Sequence, residues 1–573
     1  MLQTLTTPRG ETLSGTPWQV YPRPQMRRDS YINLNGEWDF AVSSGKPETF
    51  DMRITVPFCP ESRLSGIGRH FEEGAPLWYR RRFLLPEGFR RERVLLHIGA
   101  ADQIAEVFVN GQHLCRHEGG YASFCVDITE ALAEENELVI RCTDDLHDQA
   151  FPYGKQVMNR GGMWYTPVSG IWQTVWLESV PGTYIENLNI ENHGASVTIS
   201  TVPPLDGTVS VEQLGQFPLE NGQVTIAPEN PHFWCPDDPY LYRFTVETAQ
   251  DKVESYFAIR SLEIKKVGGY PRLCLNGKPY FFHGLLDQGY WPEGLLTAPA
   301  PESYADDILA MKRLGFNTLR KHIKVEPEEF YYQCDRLGMI VWQDMVNNGS
   351  YSYFRDTVLP TIGIQKRNDR RLHRDERSRN TFRQGAADAV KQLKNHPCIC
   401  YWTIFNEGWG QFDSDRVCGW FRTLDATRFI DTTSGWFRGK NTDVDSRHQY
   451  FGKLRLEGDG LRPLVLSEFG GKTWQVEGHI FNPDKTYGYG ACPTREALNE
   501  AVAALYRESI VPAVEKGLCA AIYTQVSDVE DEVNGLITYD RRVVKLDADT
   551  MLPISRALQD AMEKTVASFE KMG

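Results

Sequence analysis

Two apolar stretches that each end in a glutamate constrain this chain most. Cys398 to Phe405 is a short run of β-branched and aromatic residues that stops at Asn406, Glu407 and a Gly408-Trp409-Gly410 turn. Such a run predicts a buried strand. Leu464 to Ser467 repeats the form, with Glu468 next and the glycines Gly470 and Gly471 beyond it. A carboxylate taken out of water is costly unless it is paired. An acid at the mouth of a buried strand therefore has little structural use beyond capping the strand or meeting an arginine. Two strands that each deliver a Glu at the C-terminal end meet the needs of a retaining glycosidase on a (β/α)8 barrel. One acid would serve as acid/base and the other as nucleophile.

The rest of the chain divides around these strands. A length of 573 residues predicts several domains. From Asn33 to about Ser179 short strands alternate with turns, and Asn110-Gly111 reads as a hairpin turn. This predicts a β jelly-roll sandwich over residues 1–181. Residues 182–266 suit a small immunoglobulin-like β-sandwich, with Trp234 to Tyr240 as a loop packed by its own rings. Over 267–573 strands alternate with helices, which predicts a parallel sheet closed into a (β/α)8 TIM barrel. Its first helix is expected to be capped by Ser303 and to stop at Gly315. The glycine-rich stretch Met158 to Trp164 is a candidate for a loop that reaches from the jelly roll to the barrel mouth.

Composition removes several classes. The net charge is −14 without a basic stripe, which argues against nucleic acid as a partner. No stretch of about 18 apolar residues offers a membrane span, and the N-terminus lacks an apolar signal core. The 12 cysteines are scattered without a C-x-x-C pair, so neither structural zinc nor a redox motif is expected. Free thiols point to a reducing cytoplasm.

Nearly the whole chain resembles glycoside hydrolase family 2, the family of β-galactosidases, β-glucuronidases and β-mannosidases. The resemblance rests on a combination of motifs: Asn35 to Trp38, Ser169 to Trp172, Asn276 to Lys278, Asn395 to Pro397, Asn406-Glu407 and Ser467 to Gly470. It implies that Glu407 is the acid/base, Glu468 the nucleophile, and Asn406 the residue that binds the hydroxyl next to the anomeric carbon. Arg320 matches the arginine that orients the nucleophile, and Tyr450 could donate its hydroxyl to Glu468. Trp436 and Trp474 could stack on a sugar face, and Asp287 could bind a hydroxyl. His322, His448 and Gln525 complete the candidate sugar-binding set.

Three departures from the family bear on the substrate. The family's Arg-x-Ser-His-Tyr-Pro is here Arg320 to Lys324, with the histidine moved one position and the proline lost. Met345 to Gly349 lacks the Glu and His that bind metal in the large β-galactosidases, so no metal and no cofactor is expected. The Asn-x-Lys pair with which glucuronidases hold the sugar carboxylate is replaced by Glu532 to Asn534, which would not neutralise a uronate. Lys321, Lys324 or Arg374 could still supply that charge from elsewhere. The expectation is a retaining, exo-acting hydrolase of terminal β-linked sugars, with a neutral β-galactoside as first choice. A uronidase or an arabinosidase on the same machinery is the alternative among enzymes. A non-catalytic carbohydrate-binding protein is the alternative outside them. The expected partner is a glycoside or oligosaccharide, and a homo-oligomer stays open.

Overall fold

The computed structural model describes residues 2–365, 368–454 and 456–570. In the first sandwich a four-stranded sheet packs on a six-stranded one. Along Ile104–Val109 every second residue is buried, the mark of a strand with one face on a core. Trp38, Phe40, Tyr79 and Leu96 lie in that core. Asn110 and Gly111 both adopt positive φ, as the tight turn from Ile104–Val109 to Gln112–Glu118 requires. The second sandwich pairs a three-stranded with a four-stranded sheet over Ile199, Val246 and Phe257. The N-terminal segment bridges domains: Leu5 and Trp18 join the barrel core, and Met26 joins that of the second sandwich.

The segment from Trp234 to Tyr240 does not pack by its own rings alone. Trp234 is fully buried in the barrel core, and its Nε1 donates to the Asp335 carbonyl at 2.7 Å. Tyr240 stacks on His232 at 4.1 Å, a ring outside the segment, so it does not meet the expectation either. The wedge of Trp234 fastens the second sandwich to the barrel.

The barrel strands, numbered in chain order, are β1 Phe282–Asp287, β2 Thr318–Lys321, β3 Ile340–Asp344, β4 Ile399–Asn406, β5 Phe429–Ser434, β6 Asp445–Gln449, β7 Leu464–Gly470 and β8 Leu518–Thr524. They run parallel in the order β5-β4-β3-β2-β1-β8-β7-β6. Every residue of β3, β4 and β7 is buried, as strands covered on both faces must be. Between β5 and β6 side chains bridge where no ladder forms among the described residues: Ser434 Oγ lies 3.3 Å from Ser446 Oγ and 2.9 Å from His448 Nε2. Nor does a helix follow β5 or β6 among the described residues, so the strict alternation of strand and helix breaks there. The first barrel helix, Glu302–Arg313, begins one residue before Ser303, with Pro301 at its cap. Ser303 is buried inside the first turn, and its hydroxyl has no partner. Proline's fixed φ starts the helix without a side-chain cap.

Candidate active site

β4 and β7 bring the two glutamates together at the C-terminal mouth of the barrel. Glu407 adopts a φ of 49°, a left-handed backbone that is uncommon for a non-glycine residue. Its N–H donates to the Ser434 carbonyl at 2.9 Å, which fixes this turn against β5. One oxygen of Glu407, one oxygen of Glu468 and a nitrogen of His448 all lie within 4.8 Å of one another.

Arg320, from β2, is the hub beneath them. It is fully buried and donates to Glu468 Oε1 at 3.0 Å, to Asp344 Oδ1 at 3.0 Å and to Asn406 Oδ1 at 2.8 Å. With its oxygen so engaged, Asn406 keeps a buried Nδ2 with no partner, on a residue that lines the cavity. Tyr450 donates its hydroxyl to Glu468 Oε2 at 2.6 Å, and its ring stacks on Tyr489 at 3.9 Å. Arg320 and Tyr450 thus fix both oxygens of Glu468. His448 Nδ1 lies 2.8 Å from Glu407 Oε1 and 3.5 Å from Glu468 Oε2. Arg320 Nη1 approaches His448 Nε2 at 3.3 Å. That approach leaves the neutral ring's proton on Nδ1, facing Glu407.

Burial governs the charges here. It pushes the Glu407 carboxyl up to about 7, against the pull of Lys155 and Arg320. It raises Glu468 as well, with His448 and Arg320 drawing it back. His448 is lowered to about 4, again by burial, and so stays neutral near pH 7. His322 lines the cavity with its Nδ1 2.8 Å from Asp344 Oδ2, and burial lowers it to about 3.

Six of the sequence candidates do not wall the cavity: Arg320 and His448 sit behind the glutamates, and four others are engaged elsewhere. Asp287 is committed to Lys321 at 2.6 Å and to the Gly289 N–H at 3.1 Å. Trp436 sets its ring against the His448 imidazole, centroids 5.7 Å apart, and so backs the residue beside the two glutamates. Trp474 packs against the barrel core. Gln525 is fully buried behind the wall, donating to Asn534 Oδ1 at 2.9 Å and accepting from Gln288 at 2.7 Å.

The cavity has walls beyond the sequence candidates, of which Met163 and Glu532 belong to segments the sequence had already singled out. Trp409 closes the turn after Glu407, Gln288 follows β1, and Glu532 follows β8. Lys155 and Met163 come from the jelly roll, so the stretch Met158 to Trp164 does reach the barrel mouth. Trp164 packs its ring against Trp409 with centroids 5.2 Å apart. Glu532 accepts from the Tyr165 hydroxyl and, at 3.4 Å, from Gln525. Glu407, His448 and Glu468 are close enough to share a metal ion. They suit one poorly, because the Arg320 guanidinium, 3.0 Å from Glu468, already supplies the positive charge.

Known families match this arrangement along most of the chain. The family model described as the TIM barrel domain of glycosyl hydrolases family 2 matches residues 267–485. Those described as the glycosyl hydrolase 2 galactose-binding domain-like and as glycosyl hydrolases family 2 match residues 69–160 and 183–260. The chain belongs to glycoside hydrolase family 2. A family 2 relative, the β-galactosidase of Thermoanaerobacter pseudethanolicus, is 24% identical over 357 residues, covering 57% of this chain and 44% of the relative. The β-glucuronidase of Bacteroides fragilis is 22% identical over 407 residues, covering 66% of this chain and 56% of the relative. The chain therefore spans about half the length of these relatives. A solved β-glucuronidase of an uncultured Clostridium superposes with a TM-score of 0.70 at 18% identity, over 95% of this chain and 100% of that one. That likeness shows the family 2 fold.

Proposed function

We propose that this family 2 chain is a retaining, exo-acting glycoside hydrolase that removes terminal β-linked uronic acids. The observation that carries the mechanism is the pair of carboxylates with oxygens within 4.8 Å. Retaining enzymes hold the two groups about 5–5.5 Å apart, whereas inverting ones leave room for a water between them. Glu468, oriented by Arg320 and Tyr450, attacks the anomeric carbon. Glu407 gives its proton to the departing oxygen and then takes one from the water that releases the sugar. The free Nδ2 of Asn406 suits the hydroxyl next to the anomeric carbon. Lys155 and Met163 close one side of the cavity, which supports release of terminal sugars over cleavage within a chain. The free thiols of all 12 cysteines support a reducing cytoplasm as its location.

A uronide takes the place of the neutral galactoside expected from the sequence. β-Glucuronidases stand among the relatives, and the objection raised by the missing lysine assumed that only the barrel could supply a cation. The reaction course is tested by proton NMR of an aryl β-uronide digest. The β-anomer of the free sugar is expected first, turning to α only by mutarotation. First appearance of the α-anomer would refute the two-glutamate double displacement.

His448 gives a second expectation. Its Nδ1–H favours the ionised form of Glu407 and occupies Oε1, so the catalytic proton rides on Oε2. Glu407 must be protonated to act, so kcat/KM should fall as pH rises through about 7. In His448→Phe the carboxylate loses a donor and its pKa rises. The basic limb of kcat/KM should then move to higher pH, while His448→Gln keeps it near its original place. A limb unmoved in both variants would remove His448 from this role.

A further inference from the structure

Four lysines are buried among the described residues: Lys155, Lys321, Lys324 and Lys545. Three of them sit on carboxylates. Lys321 meets Glu326 at 2.9 Å and Asp287 at 2.6 Å, Lys324 meets Glu326 at 2.8 Å, and Lys545 meets Asp528 at 2.6 Å. This takes Lys321 and Lys324 out of consideration as substrate-binding cations. Arg374, the other candidate, spends its Nε on the Arg371 carbonyl at 3.1 Å and does not line the cavity.

Lys155 differs from all of these. Its residue is only 6% exposed, yet among the described residues no ion pair and no hydrogen bond holds its ammonium. What surrounds it is aromatic: the Nζ lies 5.0 Å from the ring centroid of Trp409 and 5.8 Å from those of Trp164 and Tyr165. Ring faces steady a cation without neutralising it. The Lys155 ammonium opens on the cavity and acts on Glu407 and Glu532 only from beyond ion-pair distance, so a direct anionic partner would complete the site. Lys155 also lines the cavity that holds Glu407, Glu468 and Glu532. Glu407 and Glu468 are reserved for chemistry. Glu532 is occupied by the Tyr165 hydroxyl and by the amides of Gln525 and Asn534. The remaining partner for Lys155 is one that arrives with the substrate.

We propose that Lys155, carried by the jelly roll, is the specificity-determining cation that holds the carboxylate of a terminal uronic acid in the barrel site. The inference rests on the uronide reading above and adds where the charge comes from. The catalytic glutamates belong to the barrel, and the group that selects the sugar belongs to the neighbouring domain. The loop that carries it is pinned across the seam by Arg160, which meets Asp531 at 3.0 Å, and by the Thr166 N–H on Glu530 at 3.0 Å.

The test compares kcat/KM for 4-nitrophenyl β-glucuronide and β-galacturonide with the matching glucoside and galactoside, at one pH and moderate salt. The unmodified protein is expected to favour a uronide at least tenfold. In Lys155→Met the uronide-to-hexoside ratio should fall 100-fold or more, and Lys155→Arg should keep most of it. Lys155→Gln, which retains a polar end, gives the same comparison should the Met variant fold poorly. Uronide and hexoside rates that drop together, leaving the ratio unchanged, would reduce Lys155 to a support for Trp164 and Trp409 and overturn the proposal while the uronide reading stands. Cleavage of hexosides but of neither uronide by the unmodified protein would overturn both. A neutral hexoside that gains from an anionic group on its aglycone, only when Lys155 is present, would place the recognised anion outside the terminal sugar and likewise overturn the assignment.

Discussion

Glu468→Gln is expected to lose turnover by a factor on the order of 10⁴ or more in kcat, the scale seen when a catalytic nucleophile is removed. The amide keeps the shape of the side chain and loses the charge that attacks the anomeric carbon. The fold should not suffer. Arg320 would still donate to Asp344, to the Ser467 carbonyl and to Asn406, so it is not left as a bare buried cation. Two carboxylates whose oxygens lie within 4.8 Å repel when both are ionised, and the substitution relieves that repulsion. The Tm of Glu468→Gln should therefore match or exceed that of the unmodified protein. Loss of activity with an intact Tm separates chemistry from stability. Turnover above one hundredth of the original, about 2.7 kcal/mol of lost transition-state binding or less, would mean that another group attacks.

The two glutamate-bearing strands were legible because their signal is local. An apolar run that ends in an acid and glycines needs no partner elsewhere to be read, and β4 and β7 lie where the runs at Cys398 and Leu464 put them. Arg320 and Tyr450 followed from motif position, and the contacts to Glu468 match. What the sequence hid is pairing across distance. Asp287 looks like a free acid past a strand, yet the register of β1 on β2 sets it beside Lys321. Trp436 and Trp474 follow strands as sugar-stacking residues would, but which way a ring faces depends on the neighbours it meets. Trp436 meets His448, and Trp474 meets the core. Lys155 carries no periodic or motif signal at all. It lies in a loop of one domain and acquires its place only when the two domains dock. The segment Glu532 to Asn534 was correctly singled out, and Glu532 lines the cavity. The inference drawn from it looked for a counter-charge along the barrel alone, and the uronide reading proposed above turns on a cation from outside the barrel.

Removal of the acid/base should show the complementary pattern. Glu407→Gly is expected to slow hydrolysis of alkyl glycosides, whose leaving oxygen needs a proton, by about 10²–10⁴-fold. Aryl glycosides with acidic phenols should still form the glycosyl-enzyme, because departure of the phenolate needs no help. Their turnover then stalls at the second step, where no base activates water. Glycine suits the position unusually well: the backbone φ of 49° at Glu407 is one that glycine adopts freely, so the turn into Gly408 should persist. The removed side chain leaves space beside His448 and Trp409 on the face from which water attacks. Azide needs no deprotonation to act as a nucleophile and is small enough for that space. It should restore aryl-glycoside turnover and yield the β-glycosyl azide, since it displaces Glu468 from the face opposite the covalent bond. Product analysis by NMR decides the matter. An α-azide would mean that no glycosyl-enzyme forms on Glu468. Azide without any effect, in a variant whose first step still proceeds, would assign the acid/base to a residue other than Glu407.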